Sequence, residues 1–478
     1  MQKFRIPMEK NDIITCHREV SYPSFIFFLI ILISTPCFSQ RLNESPGQVW
    51  KVGDHRWTVE EEYQFSRWFD ENITEDFFIR NKIPIDCADV PYAVRWIYAR
   101  IAHLPAAAMT KNGKLIGHWS TNWKHLPTHS EWHQDKRFRS ALLQLLSETW
   151  TGTLPLDTYP IRISPDSVTP GTILYMTKSH CAIIGHVSLD GSQAHPLQTW
   201  ESILPVKVKK LSLKNFCSPK PESKHHLGLL KFRWLAFENG GWKYLPVKEH
   251  PFHSEEQYSP DFYNGGSDFV EVVAKRIDPT DYDPMDKVVK VMGTITRFLK
   301  DRVPVVLTGH QQCSGGGCQE GSDLWEIHNT LSRDELIILL MDHLSRIIEL
   351  NHLDKEMMEK IMETIPINIS TDRSVTFYHV YQDCLWLSND PKDSIEARWG
   401  LKKCEMILSQ TRTAQNIIAF IERIYRKRDP SYADFSIRQQ QEILRRLNEE
   451  WKNAECYFEG SVYSSNRTGN NFLLKTNF

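Results

Sequence analysis

A cysteine and a histidine occupy positions where the chain could activate a thiol. Cys87 lies in the segment Ile85-Asp-Cys-Ala-Asp89, at the predicted start of an amphipathic helix over 87–103. Unpaired backbone N–H groups and the positive end of the helix dipole favour a thiolate at such a position. His180 opens a predicted strand that directly follows another strand. A base on a rigid strand facing the start of a helix has the geometry that a cysteine–histidine pair needs.

The elements around this pair predict helices followed by an antiparallel sheet. Thr58 and Glu61 form a capping-box signature before the first helix, and Asp86 or Asp89 is suited to cap the helix that follows Cys87. A turn signal at 190–191 separates two strands. The predicted strands are 172–176, 181–189, 206–213, 229–237 and 242–247. This order indicates an α+β domain over 56–250.

The rest of the chain shows different patterns. Residues 40–55 and 251–284 are predicted linkers, the second because it is rich in Pro, Asp, Tyr and Ser. Residues 285–458 show helical periodicity and predict a mainly α-helical domain. Its predicted helices are 285–301, 333–350, 353–364, 396–427 and 434–453. The Ser/Asn/Gly-rich end, 459–478, is predicted to be a flexible tail.

The segments around Cys87 and His180 resemble the NlpC-type cell-wall cysteine peptidases and the related CHAP amidases, which are papain-like. Those families have Asp-Cys at a helix start, Pro-Gly-Asp before one strand, and a further strand that begins with His. In this chain Asp86-Cys87, Pro170-Gly171 and His180-Cys-Ala-Ile-Ile184 match these elements, with Thr172 in place of the Asp. An insertion over about 105–165 separates the first element from the others.

The resemblance implies a papain-like helix-then-sheet domain in the amino-terminal half, with Cys87 as nucleophile and His180 as general base. It also implies a third polar residue that orients the imidazole, normally on the next strand. His195 is predicted to be this residue, with Gln193 and Glu201 as alternatives. The implied function is hydrolysis of an amide bond, with cell-wall peptides as the substrate class.

Two other functions remain open on the same fold. In the first, the protein is a non-catalytic exported binding or scaffold protein, Cys87 is structural or disulfide-bonded, and His180 is a core histidine. In the second, the Cys–His pair serves an acyltransferase or transglutaminase-like enzyme, because the same nucleophile supports transfer as well as hydrolysis.

The amino terminus predicts export. A basic segment precedes the apolar run 25–33, and small residues around Ser39 predict a signal peptide over 1–39 that is cleaved near Ser39. The run is too short for a helix across a bilayer, which needs about 20 residues. A retained signal anchor is the alternative. The mature chain is predicted to contain no integral membrane segment.

Eight cysteines would remain after cleavage, in a compartment where disulfides form. Cys313 and Cys318 flank a short Gly-rich loop and are the predicted disulfide, with a zinc site that includes His310 as the alternative. A second histidine group also raises the possibility of zinc: His118, His125, His129 and His133. Its spacing lacks the His-Glu-x-x-His arrangement, which favours an ordinary loop. The sequence therefore predicts no metal and no cofactor.

Composition limits the partners. The formal net charge is −2, so no strong global field would attract nucleic acid, and no nucleic-acid partner is predicted. Hydrophobic residues make up 41% of the chain, which is enough for a sizeable core. The predicted partner is a peptide or peptidoglycan-like substrate.

Overall fold

The computed structural model describes residues 46–177, 179–219, 227–263, 268–428 and 430–454. The predicted signal peptide 1–39, the first part of the linker 40–55 and the predicted tail lie outside the described residues. In the described part of the chain, no helix combines the length and apolar character needed to cross a bilayer.

The amino-terminal half contains both helices and strands. Its helices are α1 (Val59–Asn72), α2 (Phe77–Arg80), α3 (Asp89–Ile101), α4 (Lys136–Glu148) and α5 (Leu154–Asp157). Its strands are β1 (Ala107–Met109), β2 (Leu115–Gly117), β3 (Thr158–Pro160), β4 (Ile173–Thr177), β5 (His180–Val187), β6 (Leu197–Glu201), β7 (Ser212–Asn215), β8 (Gly228–Phe232), β9 (Leu235–Glu238) and β10 (Gly241–Tyr244). The predicted mixture of helices and an antiparallel sheet is confirmed.

Six of these strands form one sheet in the order β3-β8-β4-β5-β6-β7, and every neighbouring pair is antiparallel. Successive side chains of β5 point to opposite faces of the sheet, and each face carries its own hydrophobic cluster. Cys181 and Ile183 lie in the cluster that contains α1 and α3. Ala182 and Ile184 lie in a second cluster on the other face. The sheet therefore holds its central strand, which begins at His180, directly against the helix that follows Cys87.

The second half is mainly helical. Its helices are α6 (Asp268–Ile277), α7 (Pro284–Cys313), α8 (Asp323–His328), α9 (Leu331–Leu350), α10 (Lys355–Glu363), α11 (Phe377–Asp383), α12 (Ile395–Arg398), α13 (Lys403–Ile424) and α14 (Pro430–Asn453). The short strands β11 (Pro366–Asn368) and β12 (Ser374–Thr376) pair with each other. The predicted helix 396–427 is two helices, because Gly400 between them adopts φ +74°, a conformation that ends a helix.

The predicted linker 251–284 differs from its prediction. It holds α6 and short 3₁₀ turns, and its aromatic side chains Phe252, Phe262 and Phe269 are buried against the second face of the sheet. Composition alone suggested a loose connection, but three large apolar rings stabilise the segment when they cover that face.

Two predicted strands also differ. The prediction 206–213 corresponds only to β7, and the prediction 229–237 is divided into β8 and β9. Between β8 and β9, the backbone N–H of Arg233 donates to Asp157 O (2.8 Å) and that of Trp234 donates to His250 Nε2 (2.9 Å). These N–H groups are therefore not available to a sheet ladder, and the strand is interrupted.

The two halves share a core. The cluster around α1 and α3 continues into α7, α9 and the segment near Trp399. Polar contacts also join them: Arg333 and Glu75 form an ion pair at 2.9 Å, and Lys207 and Glu326 form one at 2.8 Å. The described residues of both halves therefore form one compact unit.

Candidate active site

Cys87 lies in the turn that leads into α3. Asp86 Oδ1 accepts from the N–H groups of Ala88 (3.0 Å) and Asp89 (3.3 Å), while Asp89 Oδ2 accepts from the Asp86 N–H at 2.8 Å. This reciprocal arrangement is a capping box built from two aspartates. Helix α3 begins at Asp89, two residues after Cys87 and within the usual variation of helix boundaries. The cap holds Cys87 at the predicted helix start, where its residue is 8% exposed and the cysteine is unbonded.

His180 is the first residue of β5. A register shift lies between Tyr175 and Thr177 of β4, and Thr177 pairs with His180. The Cys87 Sγ lies 3.8 Å from the carbonyl oxygen of the preceding residue, Ser179. The structure therefore brings the Cys87 thiol beside His180 at the start of β5.

Glu201 contacts the same imidazole. Its Oε2 lies 3.1 Å from His180 Nε2, and both side chains are partly buried. Since Nε2 faces the carboxylate, Nδ1 is the ring nitrogen that remains for another partner. A carboxylate at one nitrogen fixes the orientation of the ring and stabilises its protonated form.

The thiol and the imidazole shift each other's protonation. Hydrogen bonds from Cys181 and from His180 lower the pKa of Cys87 to about 5, against the opposing effect of burial. Hydrogen bonds to Cys87 and to Glu201 raise the pKa of His180 to about 9. Between these two values the pair is a thiolate and an imidazolium, which is the reactive form of a cysteine nucleophile.

Cys181 also touches Cys87. Its Sγ–H donates to the Cys87 carbonyl oxygen at 3.3 Å, and the Cys181 thiol contributes most to the lowered pKa of Cys87. Strand alternation predicts that Cys181 and His180 point to opposite faces. Both residues nevertheless lie beside Cys87; His180 is the first residue of β5, opposite the register shift in β4.

His195, the predicted third residue, does not contact His180. Its Nδ1 accepts from the Leu197 N–H at 3.0 Å, its Nε2 lies 3.1 Å from Val270 O, and its ring stacks on Phe216. The physical reason is the strand register. Val187 pairs with Leu197, so His195 lies near the opposite end of the β5–β6 pair, roughly 20 Å along the strand from His180.

Of the two alternatives, Gln193 also lies before β6 and accepts from Gln198 Nε2 at 3.0 Å. Only Glu201 lies at the end of the β5–β6 pair where His180 is located. Ile183 pairs with Trp200, so Glu201 stands opposite residue 182 and shares a face with His180. A signal for this was present in the sequence. His180 precedes residue 190 of the turn by ten positions, and Glu201 follows residue 191 by ten, so a symmetric hairpin would place the two opposite each other.

Lys209 is a charged neighbour that the sequence analysis missed. Its Nζ donates to the carbonyl oxygens of Ile203 and Pro205, and the residue is buried. Burial lowers the pKa of Lys209, while the negative charges of Asp86 and Cys87 raise it. The backbone bridge between Ile85 and Lys207 holds this segment beside Cys87. Lys209 thus adds a positive charge at the edge of the site.

A donor for a developing oxyanion is present. Within the described residues, the backbone N–H of Cys87 has no hydrogen-bond acceptor, whereas those of Ala88 and Asp89 are used by Asp86. An unpaired backbone N–H at a thiol that attacks a carbonyl group can stabilise negative charge on the carbonyl oxygen.

The predicted metal alternatives find no support in the geometry. In the described ranges, no group of three or more His, Cys, Asp or Glu side chains converges to hold an ion. Burial lowers the pKa of His118 to about 3, and its ring packs against Trp50 and Trp242. Cys313 and Cys318 are disulfide-bonded, as predicted, and His310 Nδ1 instead lies 3.2 Å from Asp393 O.

A scan against protein-family models and searches of curated proteins and of solved structures found no match to this chain.

Proposed function

We propose that this protein is an exported cysteine hydrolase that cleaves amide bonds, with Cys87 as nucleophile, His180 as general base and acid, and Glu201 as the residue that positions His180. One observation carries the proposal: the unbonded Cys87 sulfur lies at the start of β5, 3.8 Å from the carbonyl oxygen of Ser179 and so beside His180, while Glu201 Oε2 lies 3.1 Å from His180 Nε2. A nucleophile, a base beside it and a third group that orients the base are the parts of a catalytic triad.

The residues support a two-step reaction. The Cys87 thiolate attacks the carbonyl carbon, and the oxyanion accepts from the Cys87 N–H. His180 gives its proton to the leaving amine as the C–N bond breaks, which leaves a thioester. Neutral His180 then removes a proton from water, which attacks the thioester, and the acid is released while the thiolate and imidazolium return.

Location and substrate class rest on the sequence. The apolar run 25–33 behind a basic segment supports export, and the Cys313–Cys318 disulfide fits an oxidising compartment. The resemblance of the Cys87 and His180 segments to NlpC-type and CHAP enzymes supports a papain-like arrangement and a peptidoglycan-like peptide as substrate.

The test is hydrolysis of purified peptidoglycan by the full chain, followed by mass spectrometry of the released peptides. The wild type should release fragments with new amino groups, and Cys87→Ala should lose activity by about 10³-fold or more. Cys217→Ala is the matched control, since Cys217 is also an unbonded cysteine but contacts Met176 instead of a histidine. Equal activity of Cys87→Ala and wild type would remove the proposal.

A further inference from the structure

A second unbonded cysteine adjoins the nucleophile and has no role in the proposed hydrolysis. Cys181 is fully buried in β5, beside His180 in sequence. Its Sγ–H donates to the Cys87 carbonyl oxygen at 3.3 Å, and the Cys181 thiol lowers the pKa of Cys87. Two neighbouring cysteines, in a protein that carries a disulfide elsewhere, can be joined by oxidation if their side chains rotate toward each other.

The two thiols differ in character. Cys87 is the one that ionises, whereas burial raises the pKa of Cys181 well above its usual value. An ionised thiol reacts first with an external disulfide, and a protonated neighbour can react only afterwards and internally. Burial adds to this order, because Cys181 is 0% exposed whereas Cys87 is 8% exposed.

We propose that Cys87 and Cys181 form a reversible internal disulfide when a low-molecular-weight disulfide oxidises the protein, and that this bond blocks the nucleophile. The consequence for hydrolysis rests on the proposed function, whereas formation of the bond does not.

The steps balance. The Cys87 thiolate attacks one sulfur of the small disulfide, its S–S bond breaks, and the first small thiolate leaves with the proton of the His180 imidazolium. Neutral His180 then takes the proton of Cys181. The Cys181 sulfur attacks the Cys87 sulfur of the mixed disulfide, and the second small thiolate leaves with that proton. Two protein thiols are oxidised, and one small disulfide is reduced to two thiols.

The experiment incubates the full chain with a series of oxidised-to-reduced glutathione ratios. Samples are quenched in acid, alkylated, digested without reduction and mapped by mass spectrometry. We expect a peptide pair linked through Cys87 and Cys181, with two glutathione thiols released per chain, and the same result for Cys384→Ser, which removes another buried cysteine. Cys87 held as a glutathione mixed disulfide beside alkylated Cys181 at every ratio would overturn the inference.

A variant checks the role of each thiol. Cys181→Ser keeps a donor beside Cys87 but cannot form the bond, so oxidation should stop at the glutathione adduct of Cys87. Failure of that adduct to accumulate in folded Cys181→Ser would contradict the assigned role of Cys181. If the variant does not fold, the wild-type map alone decides.

Activity separates this inference from the proposed function. Hydrolysis that persists in fully Cys87–Cys181-linked protein would contradict the blocking role and leave another nucleophile to be found. A mapped bond in a protein with no hydrolytic activity would support the disulfide while the proposed function fails.

Discussion

The Nε2 atom of His180 lies 3.1 Å from the Oε2 atom of Glu201, across the pair of strands β5 and β6. This contact supplies the third member of the proposed triad, because a carboxylate at one ring nitrogen holds the imidazole and stabilises its positive charge. His195 lies three residues before Gln198, the β6 residue that pairs with His186. It does not make this contact. The predictions below follow from these two placements and from the packing around them.

Alkylation of Cys87 by iodoacetamide should reach half its maximal rate near pH 5. The lowered pKa means that the thiolate persists above that value, and the raised pKa of His180 means that the imidazolium persists up to about pH 9. Hydrolysis should therefore be bell-shaped between about pH 5 and 9. Peptide mapping of the labelled chain measures the rate. Cys217, whose pKa burial raises to about 11, serves as the internal control. A Cys87 midpoint near pH 8.5, the value of an ordinary thiol, contradicts the assignment.

Glu201→Gln should lower the pKa of His180, since the amide keeps the shape of the side chain but loses the negative charge that favours imidazolium. We expect a downward shift of about one pH unit, because an opposite charge at this distance commonly accounts for that much or more. The effect of Cys87, which also raises the pKa of His180, remains and limits the loss. NMR titration of the His180 ring measures it. Glu238→Gln, the same change at an exposed position of β9, should leave the titration unchanged. An unshifted His180 in Glu201→Gln would show that the carboxylate does not act on the ring.

His195→Ala should destabilise the protein without moving the pH dependence of Cys87 alkylation. The substitution leaves the Leu197 N–H and Val270 O without their partners and removes the stacking on Phe216, so unfolding free energy should fall by about 2–4 kcal/mol. Urea unfolding measures the free energy of unfolding, and labelling of the folded protein measures the pH dependence of Cys87 alkylation. A shifted pH midpoint of Cys87 alkylation together with unchanged stability would show that His195 acts on Cys87 or His180.

Asp334→Ala should destabilise the helical half by about 3–5 kcal/mol. Asp334 receives two hydrogen bonds from Arg302, at 2.6 and 3.0 Å, and the guanidinium is fully buried, so removal of the carboxylate leaves an unpaired buried charge. Asp342→Ala on the same helix is the matched control. Its partner Arg346 is largely exposed, and the loss should stay below about 1 kcal/mol. Similar unfolding midpoints for both variants would be inconsistent with a stabilising role for the buried pair.

Local sequence patterns were sufficient for some features. Asp86-Cys87 before an amphipathic helix placed the thiol at a capped helix start, and the two consecutive strands placed His180 at the beginning of β5. Thr58 caps α1 through the Glu61 N–H at 3.1 Å, and Cys313 is bonded to Cys318. Each of these depends on residues a few positions apart, whose spacing already limits the geometry.

The tertiary structure decided the rest. Whether His195 or Glu201 meets His180 depends on the register of β6 against β5, and a difference of a few residues moves a side chain from one end of the strand pair to the other. The contact between Cys181 and Cys87 depends on the packing of the sheet against α3. The segment 251–284 became part of the core only because the sheet offers it a second apolar face. Such contacts join residues far apart in the chain, and local periodicity holds no information about which distant partner will lie opposite.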